Sequence, residues 1–166
     1  GTSNRTIHEY ADEREISLAT AQDWCRRFAL SKRENFVFAS FFLPKRLRQP
    51  FYNVYAYCRI ADDLADESES AESALIQLED FQIRLEQAFV GYPRGPLFTA
   101  LSSTIDEFAL PIEPFTRLME AFRQDQRIHR YETYDQLLEY CDCSANPVGE
   151  ILLRMCDGYC SNNVAY

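Results

Sequence analysis

The 166-residue chain has few of the residues that punctuate turns, with 5 Gly and 7 Pro. That is too little turn chemistry for an all-β sandwich or a low-complexity linker. It has 2 His, His8 and His129, so a metal centre built from several histidines is excluded by count. Basic charge is also short: 17 Lys plus Arg stand against 26 Asp plus Glu, a formal net charge of −9. Nonspecific nucleic-acid binding needs a net basic surface, so no nucleic-acid partner is expected. Apolar runs are short: Phe36 to Leu43, eight residues, is apolar but for Ser40, whereas a bilayer-spanning helix needs about 20. Gly1 to Arg14 is polar and charged and lacks the apolar stretch of a secretory signal. The expected compartment is the cytosol.

Six cysteines lie at positions 25, 58, 141, 143, 156 and 160. Most fall among apolar neighbours in helical patterns and nothing points to secretion, so reduced, packing thiols are expected. Cys141-x-Cys143 with Cys156-x3-Cys160 does not have the spacing of a zinc ribbon or finger.

What the chain does have is 46% hydrophobic residues, including 12 Phe, 10 Tyr and 1 Trp. Its length suits one domain or part of one, with enough residues to bury a core. Nearly every segment repeats at helical period. Leu18, Ala21, Trp24, Cys25 and Phe28 form one stripe over 17–32. Pro44 stops the run 36–43, and Pro50 is placed to begin a helix over 51–67. Ser68 to Ser70 loosens the chain before a helix over 72–90, Gly91 is placed as its C-cap, and Tyr92 to Pro96 is a turn. Further helices are predicted over 97–109, 115–129 and 134–144, the last opened by Thr133 or Tyr134, with Leu137, Leu138 and Cys141 on its apolar stripe. Asn146-Pro147 interrupts before Val148–Met155. The prediction is an all-α chain of six or seven helices.

Charge is polarised along the chain. Between Arg26 and Arg48 there are seven basic residues and one acid, whereas between Asp62 and Asp80 there are eight acids and no basic residue. Two solvated faces would account for this, and so would a site holding cations and phosphates together. In Tyr57–Glu67 the helical spacing puts Asp62 and Asp66 on one face, with Arg59 and Tyr55 successively one turn before. Like charges at i and i+4 destabilise an isolated helix by about 0.2–0.5 kcal/mol, and a cation between them relieves that. Hard oxygen ligands with spare water positions suit Mg²⁺ bridging to a substrate phosphate. Arg123, Arg127 and Arg130 recur at i, i+4 and i+7. They read as a solvated stripe or as a diphosphate clamp, since guanidinium forks match phosphate oxygens. The polar Ser144-Ala-Asn-Pro147 break lies between two apolar helical patterns, as a kink or as a lining of a cavity.

Taken in order, these motifs resemble the squalene/phytoene synthase family, and most nearly its bacterial hopanoid-pathway hydroxysqualene synthase subgroup. The resemblance is carried by Glu34-Asn35-Phe36, Ala39-Ser40, Leu43-Pro44, Arg46-Leu47-Arg48 and Tyr55-Ala56. It continues through Arg59, Ala61-Asp62-Asp63-Leu64-Ala65-Asp66-Glu67, Ala121-Phe122-Arg123-Gln124-Asp125, Arg130-Tyr131, Tyr140-Cys141 and Ser144 to Gly149. It spans about residues 17–155.

The resemblance implies an all-α isoprenoid synthase fold around an aromatic-lined cavity, and head-to-head joining of prenyl diphosphates or processing of the cyclopropyl product. It makes Asp62 and Asp66 Mg²⁺ ligands and places Arg59 on diphosphate. Tyr140 matches a tyrosine near the reacting centre, Asp125 an acid across the cavity, and Asn35 a polar residue at its mouth. Lys32 stands where relatives often carry a histidine. The family's second aspartate-rich motif lies downstream of the Pro-Val-Gly segment, and the sequence ends at Tyr166 before it. The expected organisation is therefore a polar arm over 1–16 and a partial isoprenoid synthase domain over 17–166 that lacks the C-terminal helices. The expected partner is farnesyl or presqualene diphosphate. Peripheral membrane contact and homo-oligomers are compatible with oily substrates and exposed apolar faces. The competing expectation is a helical interaction domain without catalytic role.

Overall fold

The computed structural model of the chain describes residues 9–10, 12, 14–32, 40–128 and 130–157. Among these, every regular element is an α-helix, as the periodicity predicts: α1 (Leu18–Ser31), α2 (Lys45–Asp66), α3 (Ala71–Phe89), α4 (Gly95–Phe108), α5 (Glu113–Asp125), α6 (Tyr134–Ser144) and α7 (Asn146–Asp157). The fold divides into two compact units, one of residues 1–60 and 84–109, the other of 61–83 and 110–166.

In the first unit α1 packs along α4. Ser17 opens α1 as its N-cap, accepting the Thr20 N–H at 3.2 Å. The buried stripe Ala21, Cys25 and Phe28 is the one the sequence predicts, and α4 buries Leu97, Phe98, Leu101 and Ile105. Burial pushes the Cys25 thiol well above its ordinary pKa, so it stays protonated and behaves as a small apolar side chain. An amide pair from α2 stitches this core. Asn53, only 1% exposed, donates to Ala100 O at 3.1 Å and to Thr104 Oγ1 at 3.0 Å. It accepts from Gln49 Nε2 at 2.9 Å, which also reaches Gln22 O at 2.8 Å. Both the oxygen and the nitrogen of the Asn53 amide are thus partnered, as a low-dielectric core demands.

Two boundaries differ from the sequence reading. Helix α2 begins at Lys45, so Pro50 lies inside it and does not start it. Pro44 is the opening residue, its carbonyl accepting Leu47 N–H at 2.9 Å. Arg48 anchors the entry on Leu43 O at 3.2 Å and Phe41 O at 3.0 Å. Proline's fixed φ is helical, so near a helix start it removes one hydrogen bond without breaking the rod.

Within the predicted arm Tyr10 is buried, and its backbone lies against the first residue of α4. That residue, Gly95, has φ +78°, and a Cβ placed on it would meet Tyr10 O at 2.1 Å. Gly95→Ala therefore faces a left-handed backbone, which costs an L-residue about 1–2 kcal/mol, and a backbone clash. The expected outcome is a lower Tm and faster proteolytic cleavage within residues 1–16. Unchanged cleavage would show that the arm does not depend on this contact.

In the second unit α5, α6 and α7 pack on one another. Leu64, Leu78, Phe81, Phe115, Leu118, Met119, Ile151 and Met155 are buried. Thr133 opens α6 with a capping box: its Oγ1 accepts Gln136 N–H at 3.3 Å, and Gln136 Oε1 accepts Thr133 N–H at 3.4 Å. The predicted apolar stripe of α6 is not a core face among the described residues, since Leu137 is 43% and Leu138 45% exposed. Pro147 sits at the second position of α7, where its missing N–H separates α6 from α7 as the sequence predicts.

Candidate functional site

The polar cluster of the second unit is organised by the C-terminal turn of α2. A helix ends with four carbonyls that lack helical partners. Here Asp63 O accepts Glu67 N–H at 2.9 Å, Leu64 O accepts Ser68 Oγ–H at 2.6 Å, and Ala65 O accepts Gln126 Nε2–H at 3.1 Å. Gln77 on α3 in turn donates to Ser68 Oγ at 3.0 Å and Ser73 Oγ at 3.1 Å. The serines that read as loosening the chain are caps: Ser68 closes α2, and Ser70 Oγ accepts Ser73 N–H at 3.1 Å to open α3. On this turn Asp63 is buried, Asp62 half-buried and Asp66 exposed. Arg59 lies three residues before Asp62 on the same helix, within the first unit, and is half-buried.

Helix α5 delivers the second group. Its last residue, Asp125, accepts the Tyr140 Oη–H of α6 at 2.9 Å. Burial pushes the Asp125 carboxyl above the usual carboxylate range, the Tyr140 hydrogen bond opposes that shift, and the nearby Asp66 charge adds to it. The Tyr140 phenol is pushed up to about 12, by burial first and then by the hydrogen bond to Asp125 and its charge, with smaller contributions from Tyr131 and Cys141. Tyr140 is thus a neutral donor across the physiological range. The Tyr131 ring lies 5.2 Å from the Tyr140 ring at 37°. Its hydroxyl is shut off from water and makes no hydrogen bond. Its pKa is raised by burial, then by the charges of Asp125 and Cys141.

The arginine stripe is corrected. Helix α5 ends at Asp125, not at 129. The chain turns at Gln126 and Arg127, with Arg127 N–H bonded to Gln124 O at 2.9 Å. Arg123, Arg127 and Arg130 therefore do not share one helical face. Arg123 is a brace between α5 and α3: its Nη2 meets Gln82 Oε1 at 2.6 Å and Glu79 Oε2 at 3.2 Å, and its side chain is 16% exposed. Arg127 is exposed, and Asn35 lies outside the described residues.

The structure thus brings together Asp66, Asp125 and Tyr140. Sequence reading missed Gln126, Ser68 and Gln77, because an amide or hydroxyl that caps a distant carbonyl carries no spacing signal. Tyr131 was visible within a motif but had no role there.

The profile of the squalene/phytoene synthase family matches residues 30–165. The chain belongs to the squalene/phytoene synthase family. It is 32% identical over 133 residues to a 15-cis-phytoene synthase of Synechococcus elongatus, covering 80% of this chain and 43% of that protein. It is 32% identical over 131 residues to a phytoene synthase of Arthrospira platensis, covering 79% of this chain and 42% of that one. Its fold superposes on a squalene synthase of Alicyclobacillus acidocaldarius with a TM-score of 0.79 and 41% identity, over 90% of this chain and 55% of that one. A dehydrosqualene synthase superposes with a TM-score of 0.72 and 31% identity, over 83% of this chain and 48% of that one. The chain spans less than half the length of the two phytoene synthases and about half that of the two solved structures. The fold is the helical isoprenoid synthase fold of these neighbours. Family members are prenyltransferase-type synthases acting on prenyl diphosphates. No helix among the described residues is long and apolar enough to cross a membrane.

Proposed function

We infer that this chain is the N-terminal part of a Mg²⁺-dependent head-to-head prenyl synthase, acting on farnesyl or presqualene diphosphate to give squalene or hydroxysqualene. The reading is carried by the hydrogen bond from Gln126 to Ala65 O, which joins the end of α2, with Asp66, to the end of α5, with the Asp125–Tyr140 pair. Among the described residues no three His, Cys, Asp or Glu side chains form a closed metal cage. The donor set that is present, Asp62 and Asp66 one turn apart, suits an ion that keeps several waters and takes substrate phosphate oxygens, as Mg²⁺ does. When bound there, Mg²⁺ would neutralise charge on the departing diphosphate.

The chain's own residues do the rest. Asp62 and Asp66 would hold the ion, with Arg59, one turn before Asp62 on the same helix, and Arg127 as the residues proposed to bind diphosphate. Arg123, committed to Glu79 and Gln82, holds α5 in place. Asp125 is a fixed negative group whose field favours a developing allylic cation, and Tyr140 orients it by hydrogen bond. The high pKa of Tyr140 keeps its proton on the phenol, so the pair stays intact through turnover.

The test incubates the intact protein and Mg²⁺ with farnesyl diphosphate, presqualene diphosphate or geranylgeranyl diphosphate and identifies the products. Squalene or hydroxysqualene supports the reading. Phytoene from geranylgeranyl diphosphate alone would move it to the phytoene branch, and no product from any of the three would end it.

A further inference from the structure

Residues 65–66 at the end of α2 and 125–126 at the end of α5 are joined by one hydrogen bond, from Gln126 Nε2 to Ala65 O at 3.1 Å. Both ends of this bond sit beside a carboxylate. Ala65 precedes Asp66, and Gln126 follows Asp125, which is itself tied to Tyr140. Ala65 is only 6% exposed, so losing this donor costs stability unless a water enters to take its place. What water cannot do is fix the distance between two segments that are 61 residues apart in sequence. The Asp66 charge is felt at Asp125, and like charges this near one another repel. The backbone N–H of Gln126 bonds Arg123 O and Gln124 O as the α5 C-cap, so its side chain starts from a fixed base. Arg123, braced on Glu79 and Gln82, holds the same turn from the other side. The neighbouring cap, Ser68 on Leu64 O, closes the same end of α2 but reaches only α3, through Gln77.

We propose that Gln126 is a positioning residue, a bracket that holds Asp66 at a set distance from the Asp125–Tyr140 pair so that a metal–diphosphate group on α2 lies in register with that pair. The proposal rests on the functional reading above. It gives Gln126 and Ser68 different roles although both cap the same turn: Ser68 stabilises the helix end, and Gln126 sets the geometry of the site.

The experiment compares wild type, Gln126→Met (similar reach, no donor), Ser68→Ala, Asp66→Asn and the Gln126→Met/Asp66→Asn double variant in the intact protein. Three readouts are used: Tm, amide hydrogen exchange of residues 66–70 and 126–128 without metal, and Mg²⁺-dependent binding of the unreactive analogue farnesyl thiodiphosphate. Misplacing a site by about 1 Å can cost about 100-fold. Gln126→Met is accordingly expected to weaken analogue binding by about tenfold or more, and to speed exchange at both segments together. Its Tm should fall no further than that of Ser68→Ala, which should bind within about twofold of wild type. In the Asp66→Asn background Gln126→Met should add little further loss, because residues acting through one another are not additive. Equal binding by Gln126→Met and wild type, or full additivity with Asp66→Asn, would overturn the bracket while leaving the functional reading intact. A wild type that binds no analogue with Mg²⁺ overturns both, and is recognised as the failure of that reading.

Discussion

Asp66→Ala, and Asp62→Ala beside it, is expected to weaken Mg²⁺-dependent diphosphate binding and to lower kcat by about 100-fold or more, the scale for losing a preorganised electrostatic group. Glu69→Ala, on the exposed turn between α2 and α3, should stay within about twofold of wild type. The contrast follows from placement. Asp62 and Asp66 stand one turn apart on a helix end whose carbonyls 63, 64 and 65 are all capped, so their carboxylates are presented from a fixed platform. Glu69 is in a bend with no such support. A Mg²⁺ ion needs the two carboxylates at one distance, and their i, i+4 spacing on one helix supplies it. Titrating Mg²⁺ against binding of farnesyl thiodiphosphate reads the difference directly. Equal losses from all three variants would mean that this acidic zone is a solvated face and holds no ion.

The helices were legible because each buries one apolar stripe, and period 3.6 survives in the sequence whatever lies next to it. The ends were less legible. Pro50 looked like a helix start because proline fits there, but Pro44 fits too, and the choice is made by Arg48 reaching back to Phe41 O and Leu43 O. Helix α5 looked longer because Arg127 and Ile128 keep the helical pattern. It stops at Asp125, where the Gln126 and Arg127 N–H groups turn to Arg123 O and Gln124 O and the Gln126 side chain reaches Ala65 O, a long-range contact no local pattern encodes. That early stop undoes the arginine stripe and frees Arg123 to brace Glu79 and Gln82.

The site shows the same division. Asp62 and Asp66 could be read from spacing alone, since i and i+4 share a face on any helix. The meeting of Asp125 with Tyr140 could not. It depends on the turn through 126–133 folding α6 back against α5, and only the family resemblance anticipated that both residues matter. The cap residues Ser68, Gln77 and Gln126 were invisible, because their partners are backbone carbonyls and a carbonyl has no sequence identity.

Tyr140→Phe and Asp125→Asn are expected to separate activity from stability. Tyr140→Phe keeps the ring 5.2 Å from Tyr131 and removes only the hydrogen bond to Asp125. If that pair steers the cation, kcat falls by about 100-fold, the lower end of what a positioned acid–base group contributes, with little change in Tm. The lost hydrogen bond is also what opposes the upward shift of Asp125, so the acid limb of the kcat–pH profile should move to higher pH. Asp125→Asn should lose activity as well, yet gain stability. Burial holds the folded carboxyl above its usual value of 3.8, so protons bind the folded state more readily than the unfolded one. Stability linked to this group is then fully present below that usual value and is lost as pH rises through the folded-state pKa. At pH 7 the native chain carries a charge that its surroundings disfavour, whereas asparagine has the same shape and still accepts from Tyr140. Asp125→Asn should therefore melt above wild type at pH 7, with the two converging as pH falls below about 3.8. A wild type that melts higher at pH 7 would show that the Asp125 charge supports the fold, and the case for its being held there for chemistry would be lost.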